Sequence, residues 1–403
     1  MECADYYAER MRTFRSLRHR NYRLYFVGQL VSLIGSWTQI TTLMWLAHEL
    51  THEAKWPAFL AAVQIGPTFL LGPWGGALAD RVSKRGLIMR TQMVFLGCAL
   101  ALLAFYLADS LTIWAMLGVM FVHGVIQAID LPTRLAFVPG LVARDDLSNA
   151  VALNSLLFNV ARAVGPAIAA VLLASAGPVW CFLLNALSYL AVIIAVACIR
   201  VPVEPPREFA PSAGGGFRAL ASKPGLLTLV LISGVVASGG WPLLALLPSF
   251  AANEMKLAEG GYGTLLSCVG IGALGAALTA ATLGNDVNRR IILLGGLILV
   301  GIALVGISTT PLFGVAAAGC VLFGFGMILF FATGQTVVQL DIADADRGKV
   351  MGVWAMMLSA GVPLGNLVLG PLADYLNDVR AVIAVQAGVV TMAALFLLLR
   401  RVH

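Results

Sequence analysis

Charged side chains are scarce in this sequence. Asp, Glu, Lys and Arg make up 11% of the 403 residues, whereas hydrophobic residues make up 60% and the mean hydropathy is +0.90. A soluble domain of this length needs more charge to cover its surface, so the composition excludes a soluble protein. The net charge of +6 does not predict nucleic-acid binding, because no basic soluble domain is present to carry such a site.

Cysteine is also sparse. The six cysteines are scattered, and most of them lie in apolar runs (Cys3, Cys98, Cys181, Cys198, Cys268, Cys320). This scatter is typical of small apolar residues and not of disulfides or metal ligands. We therefore expect no metal and no other cofactor.

Long uncharged runs dominate the chain instead. A helix needs roughly 20 residues to cross a hydrocarbon core of about 30 Å, and Pro and Gly mark the turns inside the two longest runs. The sequence therefore predicts an all-α membrane protein with twelve transmembrane helices, at 23–48, 57–80, 86–108, 111–134, 148–175, 178–200, 224–251, 261–284, 290–308, 312–340, 349–374 and 380–400.

The longest polar interval divides the chain into two halves. It is rich in Pro and Gly, which is typical of a flexible linker. Weak sequence echoes at matching positions of the two halves predict two pseudo-symmetric six-helix bundles. We predict four segments: an interfacial N-terminal segment (1–22), an N-terminal bundle (23–200), the linker (201–223) and a C-terminal bundle (224–403).

The distribution of positive charge predicts the orientation. Of the 26 Lys and Arg residues, 22 fall at the termini and on the loops of one side, three fall on the other side, and Arg162 lies inside a span. The positive-inside rule then predicts that both termini are cytoplasmic. The basic segment from Arg10 to Arg23, with interleaved apolar residues, is predicted to lie on anionic lipid.

One short pattern resembles a metal site. Residues 48–52 read His-Glu-Leu-Thr-His and match His-Glu-x-x-His, in which two histidines bind zinc and the glutamate activates water. A catalytic zinc needs a third protein ligand. His19 and His403 are predicted on the other side, His123 lies on another span, and Glu53 is the nearest acid. We expect a protein that is not an enzyme, with an intramembrane zinc metalloprotease as a remote alternative.

The turn after the second span reads Gly76-Ala-Leu-Ala-Asp80-Arg81-Val-Ser-Lys84-Arg85. It resembles the signature loop of the major facilitator superfamily of secondary transporters, which usually has glycine where this chain has Ser83. Gly72, Gly75 and Gly76 are expected to let another helix approach closely. The resemblance implies that Asp80 faces the start of the eleventh span and closes the cytoplasmic side, with a gate formed by Gly76, Asp80, Arg81, Arg85 and Arg347. A loop needed only for topology and folding is the alternative.

The fourth span is the main functional candidate, because charged groups at bilayer depth are costly. His123, Gln127, Asp130 and Arg134 lie on one helical face by their spacing. Arg162 in the fifth span is the predicted counter-charge of Asp130, without which that carboxyl group would be largely protonated. We predict proton coupling at Asp130 and Arg162, with a permanent structural ion pair as the alternative.

Other polar residues of the spans are few. The seventh span contains Gly239-Gly240-Trp241-Pro242, which predicts a break where an aromatic ring projects inward. A cavity with few charges suits a large amphipathic or aromatic compound. We predict that the substrate cavity is lined by Trp37, Gln39, His123, Gln127, Arg134, Trp241, Gln335, Gln339 and Asn366.

The segment Asp130-Leu-Pro-Thr-Arg134, followed by Gly165-Pro166, resembles the superfamily branch that contains bacterial siderophore and macrolide exporters. Ala169 and Ala170 stand where antiporters often have glycine. The resemblance implies proton-coupled export of a medium-sized amphipathic compound across the bacterial inner membrane by alternating access. A lysophospholipid flippase and an importer are the alternatives. We expect a monomer, and not an ATP-driven protein, since the sequence has no Gly-x4-Gly-Lys-Ser/Thr loop.

Overall fold

The computed structural model describes residues 14–200, 215–282 and 288–400, which contain twelve helices long and apolar enough to cross a membrane. They are α1 (Arg20–Thr51), α2 (Lys55–Arg81), α3 (Lys84–Leu107), α4 (Ile113–Phe137), α5 (Leu147–Ala176), α6 (Pro178–Ala197), α7 (Pro224–Glu254, interrupted after Gly240), α8 (Glu259–Thr282), α9 (Arg289–Thr309), α10 (Phe313–Asp341), α11 (Asp344–Leu376) and α12 (Val379–Leu399). Each predicted span corresponds to one helix, so the all-α class and the twelve crossings are confirmed. Of the four predicted segments, residues 1–13, 201–214, 283–287 and 401–403 lie outside the described ranges.

Glycine lets corresponding helices approach closely in both halves. A Cβ atom on Gly124 of α4 would overlap the Gln64 carbonyl of α2, and one on Gly324 of α10 would overlap the Val269 carbonyl of α8. Only glycine permits two backbones to come so near. The second and fourth helices of each half therefore pack in the same way, which agrees with two pseudo-symmetric bundles.

Arginine caps repeat in the two halves as well. At the start of α3, Arg85 donates from Nε to the Val196 carbonyl (3.0 Å) and from Nη2 to the Ala197 carbonyl (2.7 Å) at the end of α6. At the start of α9, Arg290 donates from Nη2 to the Leu398 carbonyl (2.6 Å) at the end of α12. Both guanidinium groups satisfy carbonyls that have no partner within their own helix.

The break predicted in the seventh span is present. The first part of α7 ends at Gly240, and the helix resumes over Leu243–Ser249 and closes with a π-helical turn, Phe250–Glu254. Pro242 lacks an N–H, so the regular hydrogen-bond ladder is interrupted there. Trp241 at the break is the residue that the sequence predicted to project inward.

A short segment packs against the start of the fifth helix of each half. A 3-10 helix, Arg15–Arg18, precedes α1, and Arg15 Nε lies 2.6 Å and His19 Nε2 2.8 Å from the two carboxylate oxygens of Asp146, just before α5. Another short helix, Gly215–Ala221, precedes α7, and its Gly216 packs against the Lys349 carbonyl of α11. The described part of the predicted interfacial segment therefore docks on the protein itself.

Candidate functional site

A cavity of about 440 Å³ lies between the two halves and is lined by α1 to α8 and α11. Most of its wall is aliphatic or aromatic and includes Phe95, Phe158, Tyr189 and Tyr262. The predicted site residues that line it are Trp37, His123, Gln127, Asp130, Arg134, Arg162, Trp241 and Asn366. The structure thus brings together residues that lie far apart in the sequence.

Three predicted cavity residues lie elsewhere. Gln39 is buried between α1 and α6, where its Oε1 accepts a hydrogen bond from Asn185 Nδ2 (2.9 Å). Gln335 is exposed, and the carbonyl of Gln339 accepts a hydrogen bond from Arg347 Nε (3.0 Å). The two α10 glutamines are outside the cavity because α10 packs between α8 and α9 and contributes nothing to the lining.

Asp130 is the centre of a hydrogen-bond network at the cavity wall. Its carboxylate is buried, and Oδ1 accepts from Thr91 Oγ1 (2.6 Å) and Gln92 Nε2 (3.1 Å) of α3. Its Oδ2 is paired with Nε of Arg134, four residues further along α4. The carboxylate is therefore compensated inside its own half.

Arg134 completes this network. Its Nη1 donates to Oε1 of Gln29 on α1, so the ion pair is held by three helices, α1, α3 and α4. Sequence reasoning missed Gln29, Thr91 and Gln92. Their signal was weak, since isolated polar residues in a span usually bond to another helix.

Arg162 does not pair with Asp130, so the predicted counter-charge was wrong. Its guanidinium carbon lies 5.5 Å from the ring centroid of Trp37 and 5.2 Å from that of Trp241. The Nε and Nη1 atoms are buried and have no hydrogen-bond partner among the described residues. The prediction failed because Arg134, one turn from Asp130 on the same helix, occupies the position of the counter-ion.

His123 lies on the cavity wall two helical turns before Asp130 on α4. Its ring packs 4.5 Å from the ring of Phe95, and its Nδ1 atom is buried without a hydrogen-bond partner among the described residues. Asn366 of α11 likewise has a buried Oδ1 to which no described residue donates a hydrogen bond. The cavity therefore presents several polar atoms that a bound molecule could satisfy.

Residues 11–402 match the family model described as transmembrane secretion effector. The chain belongs to this family of the major facilitator superfamily. The protein is therefore a multi-pass membrane transporter, and the metalloprotease alternative is overturned.

Similar proteins agree with this membership. The transporter is 24% identical to the staphyloferrin A transporter of Staphylococcus aureus, over 93% of this chain and 96% of that protein. It is 26% identical to the enterobactin exporter EntS of Citrobacter koseri, over 94% and 92%. Its fold matches a bacterial homologue of the human lysosomal transporter Spinster in an inward-facing, unoccupied conformation, with a TM-score of 0.75, 14% identity and coverage of 94% and 96%.

We call the side on which α1 begins and α12 ends the basic side, and the other side of the transporter the opposite side. The two halves are joined on the opposite side. Near the end of α11, the Asp374 carboxylate accepts hydrogen bonds from the backbone N–H groups of Ala54 (2.6 Å) and Lys55 (2.9 Å) at the start of α2. Between α1 and α7, His48 Nδ1 lies 3.0 Å from Ser249 Oγ. These contacts cross the boundary between the halves, and the sequence did not predict them.

Close packing of α5 on α8 strengthens this closure. Gly263 of α8 packs against the Ala170 side chain and the Pro166 carbonyl, and Gly270 packs against the backbone at Ala163. The sequence suggested that glycines on α5 were missing at Ala169 and Ala170. The structure has the small residues on the facing helix, α8, where they allow the same close approach.

On the basic side the same face of α2 has open space. This face packs on Gly370 of α11 at Ala58 and lines the cavity at Ile65. By contrast, no atom of the described residues lies within 4 Å of a Cβ atom built on Gly72 or Gly76. Of the three glycines expected to allow close approach, only Gly75 does so, against Ala128 of α4. The cavity therefore opens toward the basic side.

The predicted gate is not assembled in this state. Asp80 has no hydrogen bond or ion pair within the described residues, Arg81 is exposed, and Arg347 binds the Gln339 carbonyl. Arg85 was predicted in the gate but caps α6 within its own half. Its position at the start of α3 directs it to the end of the neighbouring helix.

The histidines of the segment 48–52 do not form a metal site. His48 is in α1, whereas His52 follows the helix with a left-handed backbone (φ 56°), and their ring centroids are 6.4 Å apart. The Glu53 carboxylate pairs with Lys55 Nζ (2.8 Å) and accepts from Trp56 Nε1 (2.7 Å), and the Lys55 hydrogen bond lowers the pKa of Glu53. Within the described ranges, no group of three candidate ligands could hold a metal ion.

Proposed function

We propose that this transporter exports a medium-sized amphipathic compound, of the siderophore or drug type, in exchange for protons. The observation that carries this proposal is the central cavity, which is mostly apolar and aromatic and contains a small set of ionisable groups. A volume of about 440 Å³ is in the range of pockets for drug-sized molecules. The names of two relatives, a staphyloferrin A transporter and an enterobactin exporter, support a siderophore.

The proposed location is the bacterial inner membrane, with the basic side and both termini in the cytoplasm. The excess of Lys and Arg on that side supports this orientation. The cavity then faces the cytoplasm, from which an exporter loads its substrate. The basic residues of the N-terminal segment support contact with anionic lipid, and we propose a monomer as the transporting unit.

Asp130 is the proposed proton carrier. Its carboxylate lines the cavity and forms an ion pair with Arg134. Protonation would remove the negative charge and release Arg134, so that proton binding changes the polar lining that the substrate meets. Arg134 thereby takes the partner role that the sequence suggested for Arg162.

Asp80 is the proposed gate residue of the outward-facing state. Its position on the open face of α2 supports a contact with the basic start of α11, near Arg347 and Lys349, when the basic side closes. Asp80→Asn should then favour the inward-open state, and cysteine probes on the cytoplasmic side should react faster. Asp109→Asn, on an exposed loop of the opposite side, is the matched control. Equal reactivity of the Asp80→Asn variant and the parent would reject the gate.

Two measurements test the proposed function. Siderophores and macrolides should raise the unfolding temperature of the purified protein, and stabilisation by lysolipids alone would favour the flippase. In everted membrane vesicles, a respiration-driven pH gradient should drive accumulation of the stabilising compound, and a protonophore should abolish it. Accumulation that persists without a pH gradient would contradict proton coupling.

A further inference from the structure

Arg162 brings an uncompensated positive charge to the cavity. Among the described residues that line it, Asp130 and Arg134 neutralise each other, whereas Arg162 has no acidic partner. The Nε and Nη1 atoms of its guanidinium are shielded from solvent and have no hydrogen-bond acceptor in the described ranges. The cavity wall therefore carries a positive charge at Arg162 that no acidic residue of the described lining neutralises.

Two tryptophans hold this guanidinium in place. Trp37 of α1 and Trp241 at the break in α7 contact it with their rings, at 5.5 Å and 5.2 Å from the ring centroids. Ring faces attract a cation, but they accept no ordinary hydrogen bonds from its N–H groups. The rings therefore fix the position of Arg162 and leave its donors available.

The backbone around Arg162 is also tightly packed. A Cβ atom on Gly270 of α8 would lie 2.5 Å from the Arg162 carbonyl oxygen, so glycine is needed there for α5 and α8 to meet. This close contact holds α5 against α8 in this structure, so the Arg162 side chain lies at the boundary between the halves. A charged group that is buried, positioned and without an acceptor is destabilising unless something binds it.

We propose that Arg162 is the anion-binding centre of the transport cavity, and that the transported compound carries a carboxylate on an aromatic or apolar body. This assignment rests on the proposed export function and specifies its substrate. The planar fork of donors of a guanidinium matches a carboxylate. One uncompensated positive charge is neutralised by one carboxylate, whereas a doubly charged phosphate would leave buried negative charge. The aromatic wall, with Tyr262 and Phe158, packs against the rest of the molecule.

The test compares two fluorescent probes that differ only at the carboxylate, namely pyrenebutyrate and its methyl ester. The purified parent protein in detergent should bind pyrenebutyrate about tenfold or more tightly than the ester, as expected for a hydrogen-bonded charge pair. Arg162→Gln should remove this preference and leave ester binding unchanged, and Arg162→Lys should retain part of it. Arg380→Gln, on the opposite side, should retain all of it.

Two outcomes of this comparison would overturn the proposal. One is a parent protein that binds the acid and the ester equally well. The other is an Arg162→Gln variant that keeps the parent's preference. If acetate displaces pyrenebutyrate at concentrations as low as those needed of the non-fluorescent aromatic acid 4-phenylbutyrate, the site binds small anions generally, and the claim about the body of the substrate is wrong.

A folding measurement separates binding from structure. Arg162→Met removes the charge at similar volume, so its unfolding temperature should equal or exceed that of the parent. A marked decrease would show that Arg162 is a structural residue and would refute the proposal. Binding in detergent needs no gradient. Export can therefore fail while the carboxylate preference stays, and that result rejects the proposed function and not this site.

Discussion

The two halves share one arrangement of helices but differ in where they bury charge. The ionisable His, Asp and Arg side chains on the cavity wall, namely His123, Asp130, Arg134 and Arg162, all come from the N-terminal half. The C-terminal half contributes Trp241, Tyr262, Asn366 and aliphatic residues to the same wall. The two halves therefore pack their helices in the same way, but the N-terminal half gives the cavity wall its charged residues and the C-terminal half gives it mainly apolar and aromatic residues.

This difference has a mechanical consequence. The Asp130 network uses partners from α1, α3 and α4, all within one half. In the proposed alternating-access motion of one half against the other, the Asp130–Arg134 ion pair would not need to break. Arg162 is the exception, because it contacts Trp241 across the boundary.

The largest effect is expected at the polar network. Asp130→Asn removes the negative charge and leaves Arg134 buried without a counter-ion, which should cost about 3–5 kcal/mol of stability. Transport driven by a pH gradient should fall to background in proteoliposomes, while exchange of substrate across the membrane should persist. Adding Arg134→Gln should restore the unfolding temperature but not the coupling. Full gradient-driven transport by the Asp130→Asn variant would contradict the proposal that the polar network of the N-terminal half carries the proton.

The glycine contacts should respond equally in the two halves. Gly124→Ala in α4 and Gly324→Ala in α10 each place a Cβ atom against a carbonyl oxygen, and each should cost about 1–3 kcal/mol. Gly118→Ala and Gly314→Ala, on the same helices, are the matched controls and should be nearly neutral, because a Cβ atom at either position meets no other described residue within 4 Å. Thermal unfolding in detergent measures all four. A cost in only one half would show that the packing is not equivalent.

The closure of the opposite side is a smaller effect. Asp374→Asn weakens the carboxylate cap that joins α11 to α2 across the boundary, which should cost about 0.5–2 kcal/mol and shift the equilibrium toward the outward-open state. Asp378→Asn is the matched control, because Asp378 caps its own helix, α12. Distances between spin labels on the opposite side should lengthen only in the Asp374 variant. An equal change in both variants would reject this lock.

The smallest effect is expected at the repeated arginine caps. Arg85→Gln and Arg290→Gln remove charge-assisted hydrogen bonds to helix ends at exposed or half-buried positions, so each should cost about 1 kcal/mol. Transport should stay near the parental rate in both variants. If Arg85→Gln alone blocked transport, Arg85 would belong to the gate as first predicted, and the likeness of the two caps would be superficial.

Much of the fold followed from the chain alone. Uncharged runs gave the twelve crossings, and the spacing of His123, Gln127, Asp130 and Arg134 on one helical face gave the polar wall of the cavity. Hydrophobic length and helical period are local properties, so they can be read without knowing which helices meet. The signature loop identified the superfamily, which the family match bears out.

Which side chains on different helices contact each other could not be predicted from the sequence. Asp130 and Arg134 are neighbours on one helix by their i,i+4 spacing, whereas their partners Gln29, Thr91 and Gln92 come from α1 and α3, which only the packing of the helices decides. Likewise, Gln335 and Gln339 share a face, but their helix does not reach the cavity. The Asp374 cap joins residues more than 300 positions apart, and no local sequence pattern predicts it.

The sequence by itself determined that this chain lies in a membrane, how often it crosses and which helix carries buried charge, because the cost of placing charge in hydrocarbon depends on each segment alone. Only the tertiary structure decided which charge is compensated, which arginine is left without an acceptor and which side of the cavity is closed. Those outcomes depend on distances between helices, and such distances are set by the packing of side chains from both halves at once.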